Sequence, residues 1–228
     1  MERTERDWQS LSADLLVRAY SLGGGNTANM VAFRLPDRGL GVISPSARVR
    51  DGVLEALEEH GTVRALIAPN AYHTLGLPVW SQRFPEAGVY AGEAALARIR
   101  KRIPGLDVAP VSILHTGEDA ALIELPQMRN GETLLRTTVD GREAWYGGDV
   151  FLNVNVDALS GALGMFFRVA GMGPGFVVNP LNRVVMMRDR GAVRAWAAET
   201  LGDVGVVIPG HGAVLTGDGL GARMTAML

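Results

Sequence analysis

The 228-residue chain has no cysteine, which excludes disulfides, thiolate metal sites and cysteine nucleophiles. Any metal it holds must be bound by histidine and carboxylate groups. Histidine is scarce too, with His60, His73, His115 and His211 the whole supply. No charge of one sign dominates: 22 Lys and Arg stand against 24 Asp and Glu, a formal net charge of −2. That balance carries no electrostatic footprint for nucleic acid. The basic run at 98–102 closes a helical stretch, where cations suit the helix dipole. Long apolar runs are also missing. The most apolar window, 162–178, is broken by Arg168, Pro174 and several glycines and is too short to span a bilayer. The N-terminal stretch Met1-Glu2-Arg3-Thr4-Glu5-Arg6-Asp7 lacks the apolar core of a secretion signal. The expectation is a cytoplasmic protein with neither a membrane nor a nucleic-acid partner.

What is present suits a globular domain. Hydrophobic residues make up 47% and charged residues 20%, with a mean hydropathy of +0.13. The 29 glycines are scattered through turns, which predicts many short elements joined tightly in one domain over 1–228. Strand patterns fall at 14–22, 29–35 and 40–44, then a helix at 51–60 whose inner face is Val53, Leu54 and Leu57. A buried strand at 63–68 and a helix at 93–103 follow, the alternation of an α/β protein. The centre reads as consecutive strands at 108–114, 120–125, 132–139 and 143–146, with hairpin turns at Asn130-Gly131 and Asp140-Gly141. After Asp149 the pattern turns helical, clearest at 192–201, and a last buried strand occupies 204–208. Antiparallel strands in the centre with flanking helices predict two sheets packed face to face with helices outside. Trp145, Met186 and Met187 read as core.

Few strings carry chemistry. Gly23-Gly24-Gly25-Asn26-Thr27-Ala28 fits a loose dinucleotide pattern, but a strand rather than a helix follows, so a hairpin turn is the better account. No Gly-x-Ser-x-Gly nucleophile turn occurs. His115 lies in a polar turn and His60 ends a helix. The remaining histidines differ, because each follows an apolar strand: 65–68 runs into Pro69-Asn70-Ala71-Tyr72-His73, and 206–208 into Pro209-Gly210-His211-Gly212. A third strand end carries Gly147-Gly148-Asp149. Loops at strand ends are where α/β folds keep their ligands. Two imidazoles and a carboxylate there could form a facial metal site; alternatively, each hydrogen-bonds its own loop.

The order of elements, with Gly147-Gly148-Asp149-Val150-Phe151 and Ile208-Pro209-Gly210-His211-Gly212, resembles the metallo-β-lactamase superfamily over roughly residues 15–216. The resemblance implies a four-layer αββα sandwich and a metal-dependent hydrolase. The family's His-x-His-x-Asp-His loop is replaced here by Pro69-Asn70-Ala71-Tyr72-His73-Thr74-Leu75-Gly76. Aligning Gly76 with the family glycine puts Pro69 and Ala71 at the first two histidines, His73 at the aspartate and Thr74 at the last histidine. A register shifted by one puts His73 at that last histidine and Asn70 at the second. In both, the first-metal ligands of this loop are gone. Met128 stands where the next first-metal histidine is expected, and a thioether is a poor ligand for such a site. Ser44-Pro45-Ser46 replaces the family's Asp-x-Gly turn. What the resemblance leaves is the second-metal pocket, with His73, Asp149 and His211.

The resulting expectation is a single divalent metal, zinc or else iron or manganese, held by His73, Asp149 and His211. Asn70 and Tyr72 would donate hydrogen bonds to an oxyanion, in hydrolysis of a small ester, amide, thioester or phosphoester. No acidic residue near 69–75 stands ready to orient His73. The alternative is a non-catalytic, metal-free protein that binds a small molecule in a cleft lined by Asn70, Tyr72, His73 and Trp80, or a protein partner through Met165-Phe166-Phe167.

Overall fold

A computed structural model describes residues 8–228, so the charged stretch 1–7 lies outside the described residues. Strands β1 (Gln9–Ser12), β2 (Leu15–Gly23), β3 (Asn26–Arg34) and β4 (Leu40–Ile43) form an antiparallel meander. Helices and strands then alternate as α1 (Asp51–Glu58), β5 (Val63–Ala68), α2 (Leu77–Arg83), β6 (Gly88–Ala91), α3 (Glu93–Arg102) and β7 (Ala109–Pro110). Strands β4 to β7 run parallel. The second half opens with the antiparallel strands β8 (Ala121–Glu124), β9 (Thr133–Val139) and β10 (Arg142–Tyr146). It continues through β11 (Phe151–Val154), α4 (Gly161–Val169), β12 (Gly175–Val178) and α5 (Arg190–Thr200). The chain closes with β13 (Val204–Ile208), β14 (His211–Gly212), β15 (Leu215–Thr216) and α6 (Leu220–Met227).

These strands make two sheets. The larger has the order β12-β11-β14-β3-β4-β5-β6-β7 with β2 and β1 attached to β3; the smaller is β15-β13-β10-β9-β8. Because side chains alternate across a strand, each sheet offers two apolar faces. Val31, Phe33, Ile43 and Ile67 of the larger sheet meet Leu135, Ala144, Tyr146 and Ile208 of the smaller in one buried cluster. On the far side of the larger sheet, Val42 and Leu66 pack on Leu54 and Leu57 of α1, Trp80 of α2 and Ile99 of α3. On the far side of the smaller, Trp145 and Val207 pack on Val193 of α5 and Met224 of α6. The layers are therefore helix, sheet, sheet, helix, the four-layer αββα arrangement expected. Fully burying each such aliphatic side chain is worth roughly 1.5–3 kcal/mol, so the three clusters hold the layers together.

Several elements depart from the sequence reading. The strand expected over 108–114 shrinks to Ala109–Pro110 followed by a 3-10 turn at Val111–Ile113, since Pro110 has no N–H with which to extend a ladder. Asn130-Gly131 is not a tight hairpin. It lies in a longer loop closed by Leu125 N donating to Glu132 O at 2.7 Å. The region after Asp149 is not purely helical, because β11 and β12 pair there as an antiparallel ribbon. Helix α2 adds to the elements expected, with Pro78 in its first turn and Leu77 and Trp80 facing the core. No helix begins after Gly23-Gly24-Gly25; β2 and β3 form a hairpin there.

Register decides where the site falls. Parallel β4 and β5 end side by side at Ile43 and Ile67, and parallel β10 and β13 end side by side at Tyr146 and Ile208. The turn at Ser44 and the loops bearing His73, Asp149 and His211 therefore leave the two sheets at one edge of the sandwich.

Candidate metal centre

His73, Asp149 and His211 meet at that edge, with one donor atom from each lying within 4.8 Å of the others. His73 Nε2 is 3.0 Å from Asp149 Oδ2, and His211 Nε2 is 3.3 Å from Asp149 Oδ1. Each side chain is less than a fifth exposed, at 17%, 19% and 18%, so the group is sheltered yet reachable. Among the described residues no other set of three His, Asp or Glu brings donor atoms this close.

The loops meet because their backbones fit. Gly148 takes φ 55°, and a Cβ there would sit well inside contact distance of Glu132 Oε1. Gly210 N donates to Gly148 O at 2.7 Å, and a Cβ on Gly210 would collide with that same carbonyl. Asn29 Nδ2 donates to both Pro209 O and Gly212 O at 2.8 Å, pinning the turn that carries His211. Trp80 Nε1 donates to Ser46 O at 2.9 Å, tying α2 to the turn after β4. Trp80 is wholly buried and is no part of the cleft lining it was expected to join; its indole fills the layer between α2 and the sheet.

Second contacts fix the imidazoles. His211 Nδ1 lies 3.1 Å from Thr27 O, and a carbonyl only accepts, so Nδ1 carries the hydrogen. When the ring is neutral, its Nε2 lone pair faces Asp149 Oδ1. That oxygen is buried and has no hydrogen-bond partner among the described residues. Two lone pairs at 3.3 Å repel unless a proton or a cation lies between them. Ser44 Oγ lies 2.9 Å from His73 Nδ1 and orients the other ring. Two imidazole nitrogens and a carboxylate oxygen, each oriented from behind, form a donor set that fits a divalent transition metal.

Behind these three side chains lies a polar layer that the sequence reading did not identify. Glu132 is fully buried and accepts from Asn70 Nδ2 at 3.3 and 3.2 Å, from Asn130 Nδ2 at 2.8 Å and from Asp149 N at 2.8 Å. Asn182 Nδ2 donates to Asp149 O at 2.7 Å. Asn70 is fully buried as well. Its amide donates to Asp149 Oδ2 at 3.0 Å, and its Oδ1 accepts from the N–H groups of Tyr72 at 2.9 Å and His73 at 3.3 Å. Asn70 thus shapes the loop and steadies the carboxylate from behind. Tyr72, by contrast, is 40% exposed at the mouth, with the Arg98 guanidinium 4.4 Å from its ring centre.

The layer reshapes the acid–base properties of the site. Burial and the charge of Asp149 push Glu132 up to about 8, against the pull of its hydrogen bonds and of His73. Burial opposes ionisation of Asp149, but the charges and contacts of His73 and His211 outweigh it and hold the carboxyl well below its usual range. Burial likewise opposes a charged His73, yet Asp149, with Glu132 adding to it, raises the imidazole above its ordinary value. Burial and Asp149 also keep the phenols of Tyr20 and Tyr146 protonated.

The missed residues left one usable signal. The Asp140-Gly141 turn sets the β9–β10 register, in which Leu135 faces Tyr146. Carrying it three residues outward sets Glu132 opposite Asp149. Elsewhere, Met128 is buried and forms an isolated bridge with Met187, so the place expected for a first-metal histidine is core. Met165 and Phe166 of α4 are 60% and 57% exposed, whereas Phe167 is packed.

Comparison with known proteins agrees with this architecture. No protein-family model matches the chain, and no curated protein matches its sequence. Solved structures do match it. A metallo-beta-lactamase from Pontibacter korlensis aligns with TM-score 0.64 at 11% identity over 96% of each chain. A putative diflavin flavoprotein fragment from Nostoc sp. PCC 7120 aligns with TM-score 0.58 at 15% identity, covering 93% of this chain and 89% of that one. The metal-soaked Flv1 flavodiiron core from Synechocystis sp. PCC6803 gives 0.60 at 14% identity, covering 96% of this chain and 59% of that one. The chain has the metallo-β-lactamase fold.

Proposed function

We propose that this protein holds one divalent metal ion with His73, Asp149 and His211 and hydrolyses a small ester, amide, thioester or phosphoester. The observation that carries the reading is Asp149 Oδ1, a buried carboxylate oxygen that has no hydrogen-bond partner among the described residues and faces the lone pair of His211 Nε2. A bound ion supplies Lewis-acid polarisation of a substrate oxygen and a lowered pKa for water. The chain's own residues do the rest. Thr27 and Ser44 keep the imidazoles aimed, Asn70 and Glu132 hold the Asp149 loop, and Tyr72 stands at the mouth to donate to a developing oxyanion. Zinc suits two imidazoles and a carboxylate. Iron suits the same facial set, and the metal-soaked flavodiiron core among the fold's neighbours supports considering it; manganese is the remaining candidate.

Elemental analysis and calorimetric titration of purified protein test the reading, together with activity on chromogenic esters and phosphoesters. About one ion per chain is expected, and Asp149→Ala and His211→Ala each abolish it along with turnover. Wild-type protein that stays metal-free in excess zinc, iron or manganese would return the site to the non-catalytic alternative.

A further inference from the structure

A cavity of about 240 Å3 lies over the two histidines, and its walls differ in character. Leu22 near the tip of β2, Tyr72 and Leu75 form an apolar rim and are 45%, 40% and 66% exposed. Large apolar side chains left this open around one mouth mark a binding surface. Charge in the lining is one-sided. Among the described residues, Arg48 is its only residue of fixed charge, and no carboxylate lines the cavity. The Arg48 guanidinium has no ion-pair partner among the described residues. The backbone that carries it is held locally, since Arg48 N donates to Ser46 Oγ at 3.1 Å in the turn that Trp80 anchors. A second cation, Arg98, backs the Tyr72 ring and fixes that wall.

We propose that the cavity takes a small organic anion with an apolar body. The body, an acyl or aryl group, lies between Leu22, Tyr72 and Leu75, and its carboxylate or phosphate pairs with Arg48. The reacting group then faces His73 and His211, an orientation that rests on the metal-hydrolase reading above. An arginine without an ion-pair partner, and a lining without an acid, among the described residues select an anion over a cation or a neutral molecule. The exposed rim selects a ligand with apolar surface over inorganic phosphate or a free sugar phosphate.

Calorimetric titration of chelator-treated protein with 4-phenylbutyrate, 4-phenylbutyl phosphate and the neutral 4-phenylbutanol tests this without relying on turnover. At least one anion is expected to bind five-fold or more tightly than the alcohol, and the better of the two identifies the headgroup. Arg48→Glu should abolish that preference while leaving the alcohol's affinity unchanged. Equal affinities, no binding of any probe, or a preference that survives Arg48→Glu overturns the proposal. Repeating the titration on His211→Ala separates the two readings. A preference kept there supports the Arg48 subsite whether or not the wild type binds metal. A preference lost there assigns the anion to the histidines and overturns it.

Discussion

Ser44 Oγ lies 2.9 Å from His73 Nδ1, and the serine that presents it holds a left-handed backbone at φ 58°. Such a conformation is uncommon for a residue with a Cβ and is kept where the surroundings impose it. A hydroxyl both donates and accepts, so Ser44 satisfies either tautomer of His73; a carboxylate in its place would hold the hydrogen on Nδ1. Ser44→Ala removes that partner and nothing that binds an ion directly. Competition with a chromophoric chelator should show metal affinity falling about 10- to 100-fold, the usual effect of removing a ligand's outer partner. Affinity within two-fold of wild type would mean that the packing of the loop alone orients the ring.

Gly148 offers a test of the layer behind the ligands. Both Gly148 and Gly141 have left-handed backbones, at φ 55° and 76°, but a Cβ at Gly141 meets nothing within 4 Å whereas one at Gly148 collides with Glu132. Gly141→Ala therefore reports the backbone strain alone, on the order of 1 kcal/mol. Gly148→Ala adds displacement of Glu132 from Asn70 and Asp149, and should lower stability by about 2–4 kcal/mol in urea unfolding. Equal losses in the two variants would show that Glu132 moves aside freely.

The buried acids predict an unusual pH profile for the metal-free protein. Glu132, raised from its ordinary 4.5 to about 8, keeps a proton in the folded chain that the unfolded chain releases, so its contribution to stability falls as pH climbs through that window. His73, raised from 6.5, contributes stability that is full below 6.5 and is lost as pH rises through its folded value. Asp149, held well below 3.8, acts oppositely, and only as pH falls below about 4. Thermal melts in chelator should therefore show the melting temperature declining from pH 5 to pH 8.5. Glu132→Gln, uncharged throughout, should flatten the slope. A melting temperature that rises over this range contradicts the assignment.

The fold was largely legible because its signals are local and periodic. The strand at Val63–Ala68 and that at Val204–Ile208 have the bounds their apolar runs predicted, and His73, Asp149 and His211 stood out as polar residues just past such runs. Pro110 truncated a predicted strand through a missing N–H, a local effect as well. The polar layer was harder to read because it is assembled by pairing. Glu132 and Asp149 become neighbours through a hairpin register, and Ser44 reaches His73 because β4 and β5 end at the same level. Asn70 could be singled out by type, yet its side chain turns inward to cap its own loop, which spacing along the chain does not reveal.

The loops that carry His73, Asp149 and His211 are fastened directly to the sandwich and to one another. Gly210 N reaches Gly148 O, Thr133 N reaches Pro69 O at 2.6 Å, and Asn29 grips both sides of His211. None of these links passes through the space between His73, Asp149 and His211. On the proposed reading, an ion there would be a guest in a socket rather than a rivet. Such an ion would leave and return while the protein stays folded, passing the apolar rim of Leu22, Tyr72 and Leu75.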